Sequence, residues 1–248
     1  MEKMNKVAQI AASFWVMKIL ATTLGETSGD YLSMTINLGY IVSLSITMGF
    51  FLIVLVGQLK SKRFHPFLYW AVIVGTTSVG TEISDFMDRT LSLGYMKGSL
   101  ILFSLLLASL ACWYYTEKDL EVYPITDKKK EIFYWMTVLF SNSLGTAFGD
   151  FLTDNMGLSY MGGALVCAVI IAVVIFLHYF ARINQILLFW IAFVFTRPFG
   201  ATFGDLLTKP TAKGGLDLGT LPASIVTAAL LGLILVYTTW IEKKKVAV

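Results

Sequence analysis

The sequence predicts an all-α integral membrane protein with eight transmembrane helices. They form four parallel two-helix repeats with pseudo-twofold or pseudo-fourfold symmetry, and both termini lie on the cytoplasmic side. Three observations lead there. Of 248 residues, 56% are hydrophobic and 14% charged, with a mean hydropathy of +0.73, where a soluble domain is about a quarter charged. Trp15, Trp70, Trp135 and Trp190 are each followed 15 residues later by an aspartate: Asp30, Asp85, Asp150 and Asp205. Basic residues concentrate on alternate connections.

The apolar runs Gly39 to Gly57, Ser99 to Tyr115, Gly162 to Phe180 and Leu221 to Trp240 are long enough to cross a bilayer core. Each is preceded by a less apolar segment running from the tryptophan into the aspartate motif: Val7 to Gly25, Pro66 to Gly80, Ile132 to Gly145 and Ile183 to Gly200. The first of these resembles a signal peptide, with Lys3 and Lys6 before an apolar stretch. It also aligns with the other three units, so it is expected to persist as the first helix. The repeats fall at about residues 7–60, 64–116, 130–181 and 183–241 of one membrane domain spanning 1–248.

Each unit contributes two spans, so all four start from the same side and are parallel rather than inverted repeats. The N-terminus, the loops after the second, fourth and sixth helices, and the C-terminus carry Lys3, Lys6, Lys60, Lys62, Arg63, Lys118, Lys128, Lys129, Lys130, Arg182, Lys243, Lys244 and Lys245. The opposite loops carry Arg89, Lys97, Lys209 and Lys213. Positive charge marks the cytoplasmic side, so both termini are expected in the cytoplasm. The net charge of +3 therefore reports topology, not nucleic-acid binding.

The two helices of a unit differ in kind. The second is largely Leu, Ile, Val, Ala and Phe, as an outer ring facing lipid requires. The first carries polar positions: Thr22 and Thr23, Thr76 to Ser78, Ser141 to Ser143, Thr196 and Arg197. Polar groups in a membrane face the bundle interior, so these helices are expected to line the centre. Gly25, Gly80, Gly145 and Gly200 allow close helix approach, or could unwind the helix end beside the carboxylate. Cys112 and Cys167 are expected to be buried apolar side chains, His65 and His178 interfacial residues, and the tryptophans interfacial anchors.

The aspartates end short turns, GETSGD, GTEISD, GTAFGD and GATFGD, and Tyr40, Tyr95 and Tyr160 follow the first three tryptophans by 25 residues. Glu26, Glu82 and Asp154 add a second carboxyl to three units, with Asp88 near Asp85. Lys18 and Arg197 lie within spans as natural counter-charges. Converging carboxylates cannot all ionise unpaired; they persist by binding protons, pairing with cations or holding a metal ion. Oxygen donors without a His or Cys cluster favour manganese, magnesium or calcium over zinc. The alternative for a GD turn is a helix-end device with its aspartate solvated outside. A Gly-Asp aspartate also suggests intramembrane proteolysis, but the Gly-x-Gly-Asp spacing is missing, and no enzyme is expected.

Four tandem two-helix units, each with a tryptophan and a (G/S)-D turn, resemble a bacterial family of repeat membrane proteins of unknown function. The resemblance runs from Trp15 to the last helix and implies an inner-membrane location. A second likeness is to calcium/manganese-type cation exchangers with Glu-x-Gly-Asp motifs. Glu26 to Asp30 carries one additional residue, and the other units lack the glutamate there.

The expectation is a membrane transporter moving a divalent cation, manganese foremost, through a central site with proton coupling. Asp30, Asp85, Asp150 and Asp205 are its metal ligands; Glu26, Glu82 and Asp154 are auxiliary. Alternatives are a proton-coupled exporter of organic cations using the aromatic residues, or a non-transporting scaffold or sensor. Membrane lipid and a cation are the expected partners, no cofactor is expected, and homo-oligomerisation is left open.

Overall fold

The structure is a computed structural model that describes residues 4–246, with the backbone only at 243, 245 and 246. Lys3 and the side chains of Lys243 and Lys245, counted above for orientation, lie outside it. The eight helices are α1 (Ala12–Asp30), α2 (Tyr40–Lys60), α3 (Pro66–Asp85), α4 (Tyr95–Glu117), α5 (Lys128–Asp150), α6 (Tyr160–Phe180), α7 (Gln185–Thr208) and α8 (Thr220–Val246). There is no strand among the described residues.

Sequence chemistry sets several of the helix starts. Pro66 opens α3, where its missing N–H costs nothing. The side chains of Asp127, Ser159 and Asn184 accept backbone N–H groups at the starts of α5, α6 and α7. Gly39 and Gly94, each at φ 74°, turn the chain into α2 and α4.

The odd helices form a closed inner ring: α1 packs on α3, α3 on α5, α5 on α7, and α7 back on α1. The repeat glycines make this closeness achievable. A Cβ on Gly80 would stand 2.9 Å from the backbone at Asn142 and Ser143. Gly25 meets Thr77, Gly145 meets Arg197 and Gly200 meets Thr22 in the same register, so each unit offers its glycine to the next and the fourth to the first. That cyclic rule makes the arrangement pseudo-fourfold. The inner helices do not unwind at the glycines but run on to the aspartates.

The outer helices do not cover their own inner helices. The face of α2 carrying Ser43, Thr47 and Phe51 is buried against α3, α4 lies on α5, α6 on α7, and α8 returns to α1. Their opposite faces are apolar and open, with Ile53 75%, Leu233 67% and Val169 60% exposed. Five helices, α2, α4, α6, α7 and α8, are long and apolar enough to cross a membrane, and the chain is an integral membrane protein. Cys167 is buried as expected, but Cys112 is exposed on the lipid-type face of α4.

At the tryptophan end the ring is stoppered by aromatic side chains. Trp70, Trp135 and Trp190 are buried there and Trp15 partly so, which corrects the expectation of lipid-interface anchors. Each of these four tryptophans follows another aromatic residue, and two of those pack across units, Phe14 on Trp70 at 5.6 Å and Tyr69 on Trp135 at 5.4 Å, while Trp113 of α4 meets Trp190 at 5.8 Å. The Tyr69 and Tyr134 hydroxyls bond at 2.6 Å.

Residues 4–11 are not helical, contrary to a helix beginning near Val7. The amide of Lys6 donates to the carbonyl of Ile125, and that of Phe64 to the carbonyl of Asn5. Val7 is buried against the stopper. The Lys6 ammonium pairs with buried Glu131, and Gln58 Nε2 donates to the Lys6 carbonyl and to Glu131 Oε1, both at 2.9 Å.

Candidate functional site

Along each inner helix the ring-facing positions recur every four residues, about 6 Å of rise. From the aromatic stopper (Phe14, Tyr69, Tyr134, Phe189) the tiers are Lys18, Ile73, Val138 and Phe193; then Thr22, Thr77, Asn142 and Arg197; then Glu26, Thr81, Thr146 and Ala201; then the four aspartates. Every residue in these tiers is buried. The repeats supply the scaffold, and the departures from repetition supply the charges.

Arg197 is fully buried, and its Nη2 donates to Glu26 Oε2 at 2.8 Å and to the hydroxyls of Thr81 and Thr146, both at 2.6 Å. These are the next-tier residues of the other three units; its own unit has Ala201 at that position, leaving room. Arg197 is thus a counter-charge at the centre, while its Nε and Nη1 have no hydrogen-bond partner. Lys18 was expected to be another, but it has no carboxylate partner. Its ammonium donates to Asn142 Oδ1 at 2.9 Å and stands 4.3 Å from the Phe193 ring centroid. Asn142 in turn donates to Thr76.

The four aspartates share one end of the ring and are bridged in two pairs by cations that the sequence alone places in the outer loops. Lys209 lies 2.5 Å from Asp30 Oδ2 and 3.1 Å from Asp205 Oδ1. Arg89 lies 3.3 Å from Asp85 Oδ1 and 3.7 Å from Asp150 Oδ2, and its Nη1 donates to the Tyr40 hydroxyl at 3.1 Å. Both cations sit four residues after a repeated aspartate, the spacing of a same-face helical pair. The equivalent residues in units one and three are Met34 and Asp154. That alternation was the available signal.

Glu26, Asp30 and Asp205 each offer a carboxylate oxygen within 4.8 Å of the others, an arrangement able to hold a metal ion. Glu82 is also fully buried, beside Gly29, with neither carboxylate oxygen hydrogen-bonded. Asp154, expected as an auxiliary ligand, is exposed. Asp88 points away from the axis, against Gly98 of α4. At the axis, six carboxyls (Glu26, Asp30, Glu82, Asp85, Asp150, Asp205) face four cationic groups (Lys18, Arg89, Arg197, Lys209). Two negative charges are left for protons or a bound cation to balance.

The backbone also marks this level. After Asp30, Asp85 and Asp150 the helix widens by one π turn, at Tyr31–Thr35, Phe86–Thr90 and Phe151–Asn155, closed by bonds such as Ile36 N–H to Tyr31 carbonyl at 2.9 Å. Such turns often accompany functional sites. In the fourth unit α7 runs straight to Thr208, and Pro210 bars its continuation. The chain there folds back, Leu216 donating to the Leu206 carbonyl at 2.7 Å and Asp217 to that of Lys209 at 3.0 Å.

The fold and these tiers define a class: a helical membrane protein of four tandem repeats around a closed, charged axis. The chain belongs to the family described as Repeat of Unknown Function (DUF347), which matches it at residues 13–64, 68–119, 133–184 and 188–244. No curated protein matches the chain. No solved structure matches it.

Proposed function

We propose that this protein is a membrane transporter that moves a divalent cation along the axis of the inner ring. The observation that carries the reading is the buried carboxylate group Glu26, Asp30 and Asp205, with unpartnered Glu82 beside it and two negative charges in excess at the axis. All the donors are hard oxygens, which suits Mn²⁺, Mg²⁺ or Ca²⁺. All eight helices span the membrane in this reading: α1, α3 and α5 fall short in apolarity because their polar tiers are shielded by the ring. The basic excess at the tryptophan end sets that end in the cytoplasm of a bacterial cell, and the aspartates then lie toward the outside. The aromatic stopper closes the cytoplasmic exit, and the ion site is reached from the other end.

Proteoliposomes loaded with a Mn²⁺-sensitive dye test the reading. Asp30→Asn and Asp205→Asn should reduce Mn²⁺ flux about tenfold or more. Asp85→Asn and Asp150→Asn should reduce it less, because those two carboxylates lie outside the Glu26, Asp30 and Asp205 group. Unchanged flux in all four variants would end the proposal. Lys209 competes with the ion for Asp30 and Asp205, so Lys209→Met should tighten Mn²⁺ binding in a titration followed by thermal stabilisation; weaker binding would mean that the lysine helps build the site.

An exporter of organic cations has less support. The tryptophans pack on other buried aromatic rings, and the Tyr40 ring and hydroxyl are already taken by Arg89.

A further inference from the structure

Among the described residues, five buried or partly buried lysines and arginines have a carboxylate partner, which leaves one exception. Lys6 has Glu131, Arg89 has Asp85 and Asp150, Arg197 has Glu26, and Lys209 has Asp30 and Asp205; Lys130, nearer the surface, has Asp119. Lys18 is fully buried at the centre of the ring and is held only by an amide oxygen and the face of a phenyl ring. The titratable or charged groups nearest its level are Tyr69 on α3, Tyr134 on α5 and Arg197 on α7, with Glu26 two turns along α1 itself. The two tyrosines hydrogen-bond each other, and Glu26 is engaged by Arg197.

We propose that Lys18 carries the proton that this protein exchanges for its cation. The proposal rests on the cation-transport reading and names its coupling group. The link runs through Arg197. A cation entering among Glu26, Asp30 and Asp205 takes the Glu26 oxygen that now accepts from Arg197 Nη2. The guanidinium is left with threonine hydroxyls and an unbalanced charge, one tier from the Lys18 ammonium. Two unbalanced cations that close in a low-dielectric interior repel strongly, and the ammonium is the one that can shed a proton. Its N–H bond breaks, the electron pair stays on nitrogen, and water takes the proton; the lone amine keeps its place beside Asn142. When the cation leaves, Glu26 returns to Arg197 and Lys18 is reprotonated. One proton moves against each ion with no change in oxidation state.

The experiment uses the full chain in nanodiscs, weakly buffered, with a pH dye and Mn²⁺ as the probe. Wild type is stabilised by Mn²⁺ and releases protons on binding it. Lys18→Met is still stabilised but releases about one proton fewer per ion bound. Lys18→Arg, which keeps its charge and cannot shed it, loses the same proton and binds Mn²⁺ about tenfold more weakly. Proton release as large in both variants as in wild type would overturn the coupling while leaving the cation site standing. Absence of any Mn²⁺ stabilisation in wild type would overturn the site and the coupling together. Because Lys18→Arg retains the charge, it decides the question even if the methionine variant does not fold.

Discussion

Arg197→Met destabilises the protein by about 3–5 kcal/mol, the usual cost of stripping one partner from a buried ion pair. The loss has a specific origin. Glu26 would stay in the ring with only the Thr81 hydroxyl, 3.3 Å away, as donor, and Thr146 would lose its bond as well. Melting of the detergent-solubilised protein should fall by on the order of 10 °C. The partner substitution decides whether charge is the cause. Arg197→Met combined with Glu26→Gln should recover most of the loss, because a neutral amide no longer needs the guanidinium. A single variant that melts like wild type, or a double variant worse than the single, would show that Arg197 does not hold the ring together.

Gly80→Ala is the second large effect. The added methyl would meet the backbone at Asn142 and Ser143 at 2.9 Å, and no rotamer change can relieve a backbone contact. The α3–α5 seam must open, at a cost of about 1–3 kcal/mol or more. The control is the same substitution at Gly49 in α2, where no atom lies within 4 Å; there alanine's better helix propensity makes the change neutral or slightly favourable. Equal melting temperatures for the two variants would remove the glycine seam from the account of ring closure. Asn142 is also the residue that holds Lys18, so opening this seam should disturb the polar axis before the outer helices.

Much of the architecture was legible because the repeat is written in residues whose roles are physical. The Trp-to-Asp interval fixes one helix length four times, and the polar content of the odd helices identifies the ring. The glycines read correctly as close-approach positions. The unwinding suggested for them does not occur, because the backbone deviation falls one turn later, in the π turns. The helix starts at Ala12 and not near Val7, because the chain before it is tied to distant partners: Asn5 to Ile125, 120 residues away, and Lys6 to Glu131 in the first turn of α5, 125 residues away, which no local pattern reveals. The axial site was half legible. Arg197 and the carboxyls stand out in the sequence, but Arg89 and Lys209 read as loop charges, because only their four-residue spacing from Asp85 and Asp205 marks them as partners of the axis. The pairing of Lys18 with Asn142 depends on the register between α1 and α5, and single-sequence reasoning does not supply an inter-helix register.

Each outer helix covers the inner helix of the following unit, and α8 covers the first. During synthesis this gives the chain an unusual order of completion. α3, α5 and α7 each emerge directly after the helix that will shield them, whereas α1, made first, carries Lys18 and Glu26 into the bilayer and receives its cover last. A chain stopped before Thr220 would therefore leave the oldest part of the protein open to lipid. An order of synthesis that began with α3 and ended with α2 would move that waiting role to α3.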